Sequence, residues 1–183
     1  FETKNTVLNA KKESFIHIEI SRQAEPTLLK LQNDFIKILD DVTKCFDDEQ
    51  SIREELNSII DDLHPLPKNY NYAEMSEVQE FINWIKDKNF IFLGYREYTK
   101  NDHKTACLKK KSGYGILRDS KFPIFKGPET KLSPSEQALE KDVSPVIVTK
   151  TNHRSSIYRR VHMDAICIKK FNANGEKVGY RMF

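Results

Sequence analysis

The stretch NFIFLGYREY, residues 89–98, sets the frame for the second half of the chain. Four apolar residues, Phe90, Ile91, Phe92 and Leu93, run into Gly94, and Tyr95, Arg96, Glu97 and Tyr98 follow. A short continuous apolar run bounded by a glycine reads as a strand covered on both faces that surfaces at its end. Met75, Val78, Phe81, Ile82 and Ile85 recur at helical spacing before it, predicting a helix over about 74–87 with Trp84 widening its apolar face. After Asn101-Asp102, the segment TACLKKK (105–111) suits an antiparallel partner, and SGYGILRD (112–119) carries two glycines around a tyrosine. Ser133, Pro134 and Glu136 predict the start of a short helix over 133–141. PVIVTK (145–150) predicts a β-branched strand, 156–171 a long strand, and Asn174-Gly175 a tight hairpin leading to a last strand from Glu176. Helix, hairpin and meander in this order predict the α+β class with an antiparallel sheet, not a doubly wound nucleotide fold.

Upstream, ESFIHIEI (13–20) alternates, with Ile16, Ile18 and Ile20 on one side, and predicts a strand. Leu28, Leu31, Phe35, Ile38, Val42 and Cys45 then recur every three or four residues, predicting an amphipathic helix over 26–46. Asp47-Asp48 suits the cap of a second helix that carries Ile52, Leu56, Ile59, Ile60 and Leu63. HPLPKNYNY (64–72), with two prolines and two asparagines, reads as a linker and a part boundary.

The 183 residues are 38% hydrophobic and 31% charged, which fits a folded chain with a modest core. No apolar run approaches the ~20 residues that a membrane span needs. The net charge of +3 hides an asymmetry. Residues 25–62 carry eleven acidic and four basic residues, a net of −7; residues 96–183 carry nineteen basic and nine acidic, a net of +10. Such a split suits two parts facing each other in an assembly, or a nucleic-acid surface. Cys45, Cys107 and Cys167 are odd in number and far apart, which fits a reducing compartment. A start without Met and an end at GYRMF, inside a predicted strand, suggest an excised piece of a longer polypeptide.

Candidate chemistry is sparse. Gly113-Tyr114-Gly115 lacks the third glycine and the Lys-Ser/Thr of a phosphate loop. His153 and His162 have no cysteine or carboxylate at metal-ligand spacing, and no nucleophile–base pair stands out. TKTNHRSSIYRRVH (149–162) is basic with Tyr158 inside it, a composition that could meet an RNA strand, but the other cations are scattered over several strands. Arg96, Lys150, Asn152 and Arg154 are the candidates for one polar site that holds a carboxylate or an acidic group of another polypeptide. A stand-alone sensor of amino acids or carboxylates is an alternative on these residues.

EVQEFINWIKDKNFIFLGYREY, GYGILRD and VIVTKTNHRSSIYRRVHMDAICIKKFNANGEKVGYRMF, in that order, resemble the N-terminal regulatory portion of the large bacterial NAD-specific glutamate dehydrogenases. The matching positions are Gly94 to Tyr98, Gly113 to Arg118, Thr149 to Ser155, Asp164, and Arg181 to Phe183, and the resemblance extends over most of residues 13–183. The chain departs from the family at Ile157-Tyr158-Arg159 and at Asp164-Ala165. The resemblance implies large cytoplasmic homo-oligomers that convert L-glutamate, NAD and water to 2-oxoglutarate, ammonium and NADH, with the catalytic domain far C-terminal. It implies that residues 1–47 end an ACT-like module, 48–72 form a helical connector and 73–183 form a truncated PAS-type module. This segment would then be non-catalytic and bind no NAD. It would serve oligomer assembly and allosteric regulation through other domains and subunits of the same protein, with an amino acid as the effector and no membrane or nucleic-acid partner.

Overall fold

The computed structural model describes residues 14–63, 66–100, 106–109, 111–119 and 143–183. Helix α1 spans Glu25–Asp62 without a break, 38 residues in all. At 1.5 Å per residue it is about 57 Å long. Pro26 sits in its first turn, where a missing N–H costs nothing. The expected break at Asp47-Asp48 is absent. No glycine or proline interrupts residues 27–62, and Asp48 is buried on the core side instead of capping. Cys45, Asp48, Ile52, Leu56 and Ile59 form that buried stripe at spacings of three and four.

Helix α2 spans Tyr72–Trp84. Asn71 and Glu74 close its start as a reciprocal capping box, with bonds of 2.9 and 2.8 Å. Its last turn widens over Ile85–Asn89, where Lys88 takes φ 64° and the Asn89 amide donates to the Trp84 carbonyl at 2.7 Å.

Six strands follow: β1 Gly94–Lys100, β2 Ala106–Leu108, β3 Tyr114–Gly115, β4 Val146–Arg154, β5 His162–Phe171 and β6 Lys177–Met182. All pairings are antiparallel. The sheet order is β2-β1-β6-β5-β4, with the two-residue β3 added beside the start of β1. The expected α+β class with an antiparallel sheet is therefore what the chain adopts. The helices cover one face, where Ile52, Leu56, Ile59, Met75, Val78 and Ile82 pack on Tyr95, Ile166 and Ile168. On the other face Leu117 packs with Ala165, Cys167, Tyr180 and Met182.

Several boundaries differ from the sequence reading. Residues 14–20 form no strand and are exposed, Phe15 at 93%. Among the described residues no strand pairs with them, and an alternating pattern alone cannot make a ladder. Residues 90–93 precede β1 instead of belonging to it. They are covered on one side only: Phe92 is buried and Ile91 is 58% exposed. The long strand expected over 156–171 begins only at His162. Residues 155–161 are a turn in which the Ser155 hydroxyl accepts from the Ile157 N–H and Tyr158 takes φ 61°. The hairpin at Asn174-Gly175 is present, but as a three-residue loop. Asn172 and Glu176 close it at 2.9 Å, only Gly175 has positive φ (70°), and the register shifts at Lys170/Phe171. The predicted helix over 133–141 and the turn at Asn101-Asp102 lie outside the described residues.

Candidate functional site

Asp48, on the core-facing stripe of α1, reaches across to β3 and the turn after it. Its carboxylate accepts from the Gly115 N–H at 2.6 Å and from Arg118 Nε and Nη2 at 2.5 and 2.6 Å. The bidentate guanidinium fork and the backbone donor together hold the Asp48 carboxyl below the usual carboxylate range, the Arg118 bond being the largest cause. The spacing of Gly115 and Arg118 puts both donors on one carboxylate through the 3-10 turn Ile116–Arg118. Gly115 is required there. Its backbone sits at φ 59°, ψ −137°, and a Cβ would stand 2.2 Å from the Leu93 carbonyl oxygen. That same oxygen accepts from the Ile116 N–H at 2.8 Å and from Cys45 Sγ at 3.0 Å. Burial pushes the Cys45 thiol up to about 11, so it is a neutral donor at pH 7. Gly115→Ala is expected to destabilise the chain by at least about 2 kcal/mol, from a backbone region nearly closed to side chains plus the collision. Urea denaturation of the variant checks this.

A second set of charges lies on the helix side of the sheet. Burial disfavours charge on Glu97, but hydrogen bonds from Lys109 (2.8 Å) and Lys170 (2.6 Å) outweigh it and hold the carboxyl below its ordinary value. Tyr95, fully buried, donates its hydroxyl to Glu55 of α1 at 3.0 Å, and burial raises its phenol strongly. Arg181 donates Nη2 to Asp62 at the end of α1. These contacts bolt α1 to the sheet.

Asp48 and Glu97 both have depressed carboxyls in the folded chain. A depressed folded value means that the unfolded chain binds protons first. The stabilisation is therefore complete above the unfolded carboxylate range near pH 4 and is lost as pH falls through the folded values. Denaturation midpoints are expected to fall between pH 5 and pH 3, about where carboxylates titrate, and to fall less in Asp48→Asn. A flat profile over that window contradicts the arrangement.

The four sequence candidates do not meet. Arg96 is 3% exposed near the start of β1, on the face away from the helices. Its Nη2 donates to the carbonyls of Leu117 (3.2 Å) and Asp119 (2.6 Å). Lys150, Asn152 and Arg154 are exposed together on β4, where Lys150 pairs with Asp164 at 2.6 Å. β6 and β5 lie between β1 and β4, so about 14 Å of sheet separates Arg96 from that trio. Sequence reasoning missed Asp48, because two aspartates after an apolar helix look like a cap. The basic half of its contact, Arg118, was visible but lies seventy residues away in sequence.

An apolar groove of about 440 Å³ opens beside the end of β6. One wall is residues 90–94, the other residues 162–166 at the start of β5. Met182 and Phe183 close one end and the turn at 155–161 the other, while Ile116 and Leu117 form part of the floor.

The glycine pair does not make a dinucleotide cradle. Gly115 leads into a three-residue turn, not a helix, and its N–H is already taken by Asp48. Among the described residues no three His, Cys, Asp or Glu side chains gather as a metal site, and no helix is long and apolar enough to cross a membrane.

The chain is 27% identical over 177 residues to the NAD-specific glutamate dehydrogenase of Halomonas elongata. It is 23% identical over 176 residues to the NAD-specific glutamate dehydrogenase of Pseudomonas aeruginosa. The matches cover 94% and 93% of this chain but only 11% of each relative, so the chain spans about a tenth of the length of these curated relatives. No family model matches it. The resemblance read from the ordered motifs is thus carried by two relatives across nearly the whole chain.

Proposed function

We propose that this chain is a non-catalytic segment from the N-terminal portion of an NAD-specific glutamate dehydrogenase, where it serves assembly and allosteric regulation. The coverage carries this reading: almost all of the chain matches a small fraction of two such enzymes. The surface of α1 supports a role in assembly. Leu28, Leu29, Phe35, Ile36, Leu39 and Phe46 are all exposed on the half of the helix that overhangs the sheet. An apolar stripe of that size is a docking surface for another domain or subunit. Within this reading residues 1–47 end an ACT-like module, 48–72 are a connector that starts inside α1, and 73–183 are a PAS-type module. The antiparallel sheet with helices on one face is compatible with the last of these. The whole protein is then a cytoplasmic homo-oligomer that takes NAD in a domain outside this segment. Lys150, Asn152 and Arg154 are assigned to a subunit or effector contact, and Arg96 to holding the turn that bears Asp119.

The 183-residue chain alone is expected to form no NADH from L-glutamate and NAD, and to show no heat of binding when titrated with NAD. Turnover by the isolated chain overturns the reading. The second reading, a stand-alone amino-acid or carboxylate sensor, is favoured only by the exposed cations of β4. It predicts a thermal shift with one such ligand, since a ligand at a hundred times its Kd stabilises by about 2.7 kcal/mol.

A further inference from the structure

We propose that the apolar groove is an unfilled strand position, which takes the stretch that follows Phe183 in the longer polypeptide, laid as an extension of β6 between residues 90–94 and 162–166. This rests on reading the chain as a segment of a larger protein.

The register leads there directly. β6 lies between β1 and β5 and runs antiparallel to both. Arg96 faces Met182, and Met182 faces Cys167. Phe183 and Ile166 exchange two backbone bonds of 2.9 Å, so the ladder is still intact at the last residue. Carried forward, the next residue stands between Gly94 and Ala165, and the one after it between Leu93 and Asp164. These positions are the two walls of the groove.

The backbone polarity agrees. In an antiparallel ladder every second residue turns both its N–H and C=O to the same neighbour. Ile166 turns toward β6, so Asp164 does as well. Arg96 faces Met182 with its backbone, so Gly94 presents its own groups to the same side. Leu93 turns the other way, as its carbonyl bond from Ile116 shows. Two facing strand edges separated by one strand's width are a site for an extended peptide, which bonds to both at once. A flat apolar ligand would leave those backbone groups without partners.

The side-chain environment is equally specific. The first added residue points to the face of Leu117 and Ala165, the second to the face of Phe92 and Phe183. Both faces are apolar, so apolar residues at both positions are expected. The one-sided cover of residues 90–93 fits this placement, because the extension gives this stretch a strand neighbour on the β5 side.

Cysteine cross-linking in the full-length polypeptide tests the placement. Ala165→Cys is combined with a cysteine at the first position beyond Phe183, a non-hydrogen-bonded cross-strand pair whose geometry suits a disulfide. With oxidised glutathione, and links mapped by mass spectrometry, most chains are expected to link internally. Moving the second cysteine one residue further turns it to the opposite face, and linking is expected to fall about tenfold. Equal linking at both positions, linking only between chains, or none at all overturns the proposal. Hydrogen exchange on the unsubstituted polypeptide gives an independent reading should the variants fold poorly. The amides of Gly94 and Asp164 are expected to be protected like those of Arg96 and Ile166, and exchange at the rate of an open loop overturns the extension. Glutamate oxidation by the same polypeptide is scored separately. A polypeptide that oxidises glutamate without linking sinks the strand extension alone, and one that links without oxidising glutamate sinks the enzyme reading alone.

Discussion

Asp48→Ala is expected to destabilise the chain by about 3 kcal/mol, more than any other single polar change on the Arg118 side of the sheet. The carboxylate is 11% exposed and serves three donors at once. Its removal strands the buried Gly115 N–H, which costs about 1–3 kcal/mol, and forfeits a charge-assisted fork worth a similar amount. Arg118 recovers some of this, because its side chain is 41% exposed and can turn to water. Asp48→Asn keeps one acceptor for Gly115 and loses the charge, so it is expected to cost about half as much. Arg118→Ala should be milder than Asp48→Ala, since it leaves the aspartate its backbone donor. Urea denaturation midpoints with unchanged slope measure all three. An Asp48→Ala variant within 0.5 kcal/mol, roughly the noise of surface changes, contradicts the role given to this contact.

Asp62→Ala is the second large effect, at about 3 kcal/mol. Arg181 is 4% exposed on β6, and among the described residues Asp62 is the partner that meets its guanidinium; Nε and Nη1 are buried without one. Removing the partner of a buried charge costs about 3–5 kcal/mol, and the lower end applies because Asp62 is 37% exposed and water replaces part of it. Asp62→Ala combined with Arg181→Met is expected to be more stable than Asp62→Ala alone, since the orphaned charge goes with its partner. A double variant weaker than the single one contradicts that account.

Much of the architecture was legible because it rests on local rules. The periodic stripe of residues 28–63, the helix after Asn71, the antiparallel order and the Asn174-Gly175 loop follow from spacing and turn chemistry. What escaped depends on partners distant in sequence. Asp47-Asp48 looked like a cap because nothing nearby announces that Asp48 faces Arg118 across the core. The turn at 155–161 contains no glycine or proline, and a tyrosine carries the positive φ there. Residues 14–20 have the alternation of a strand, yet pairing depends on a neighbour that the pattern cannot supply. Arg96 looked like a surface cation at a strand's open end, but in this antiparallel sheet it falls at 3% exposure, bound to carbonyls of the Ile116–Arg118 turn and its exit.

The charge asymmetry has a structural use as well. Acidic α1 supplies Asp48, Glu55 and Asp62, and the strands and turns of the second half supply Arg118, Tyr95 and Arg181. Two of the basic residues, Arg118 and Arg181, therefore answer the protein's own helix. On the proposed reading, assembly and regulation would act through the overhanging apolar half of α1 and the exposed row on β4.

The most direct measurement is an absorbance assay on the full-length polypeptide that carries this segment, with L-glutamate and NAD as substrates. NADH formation that depends on both, with none from the 183-residue chain alone, is the predicted result. A full-length polypeptide that forms no NADH from glutamate contradicts the account.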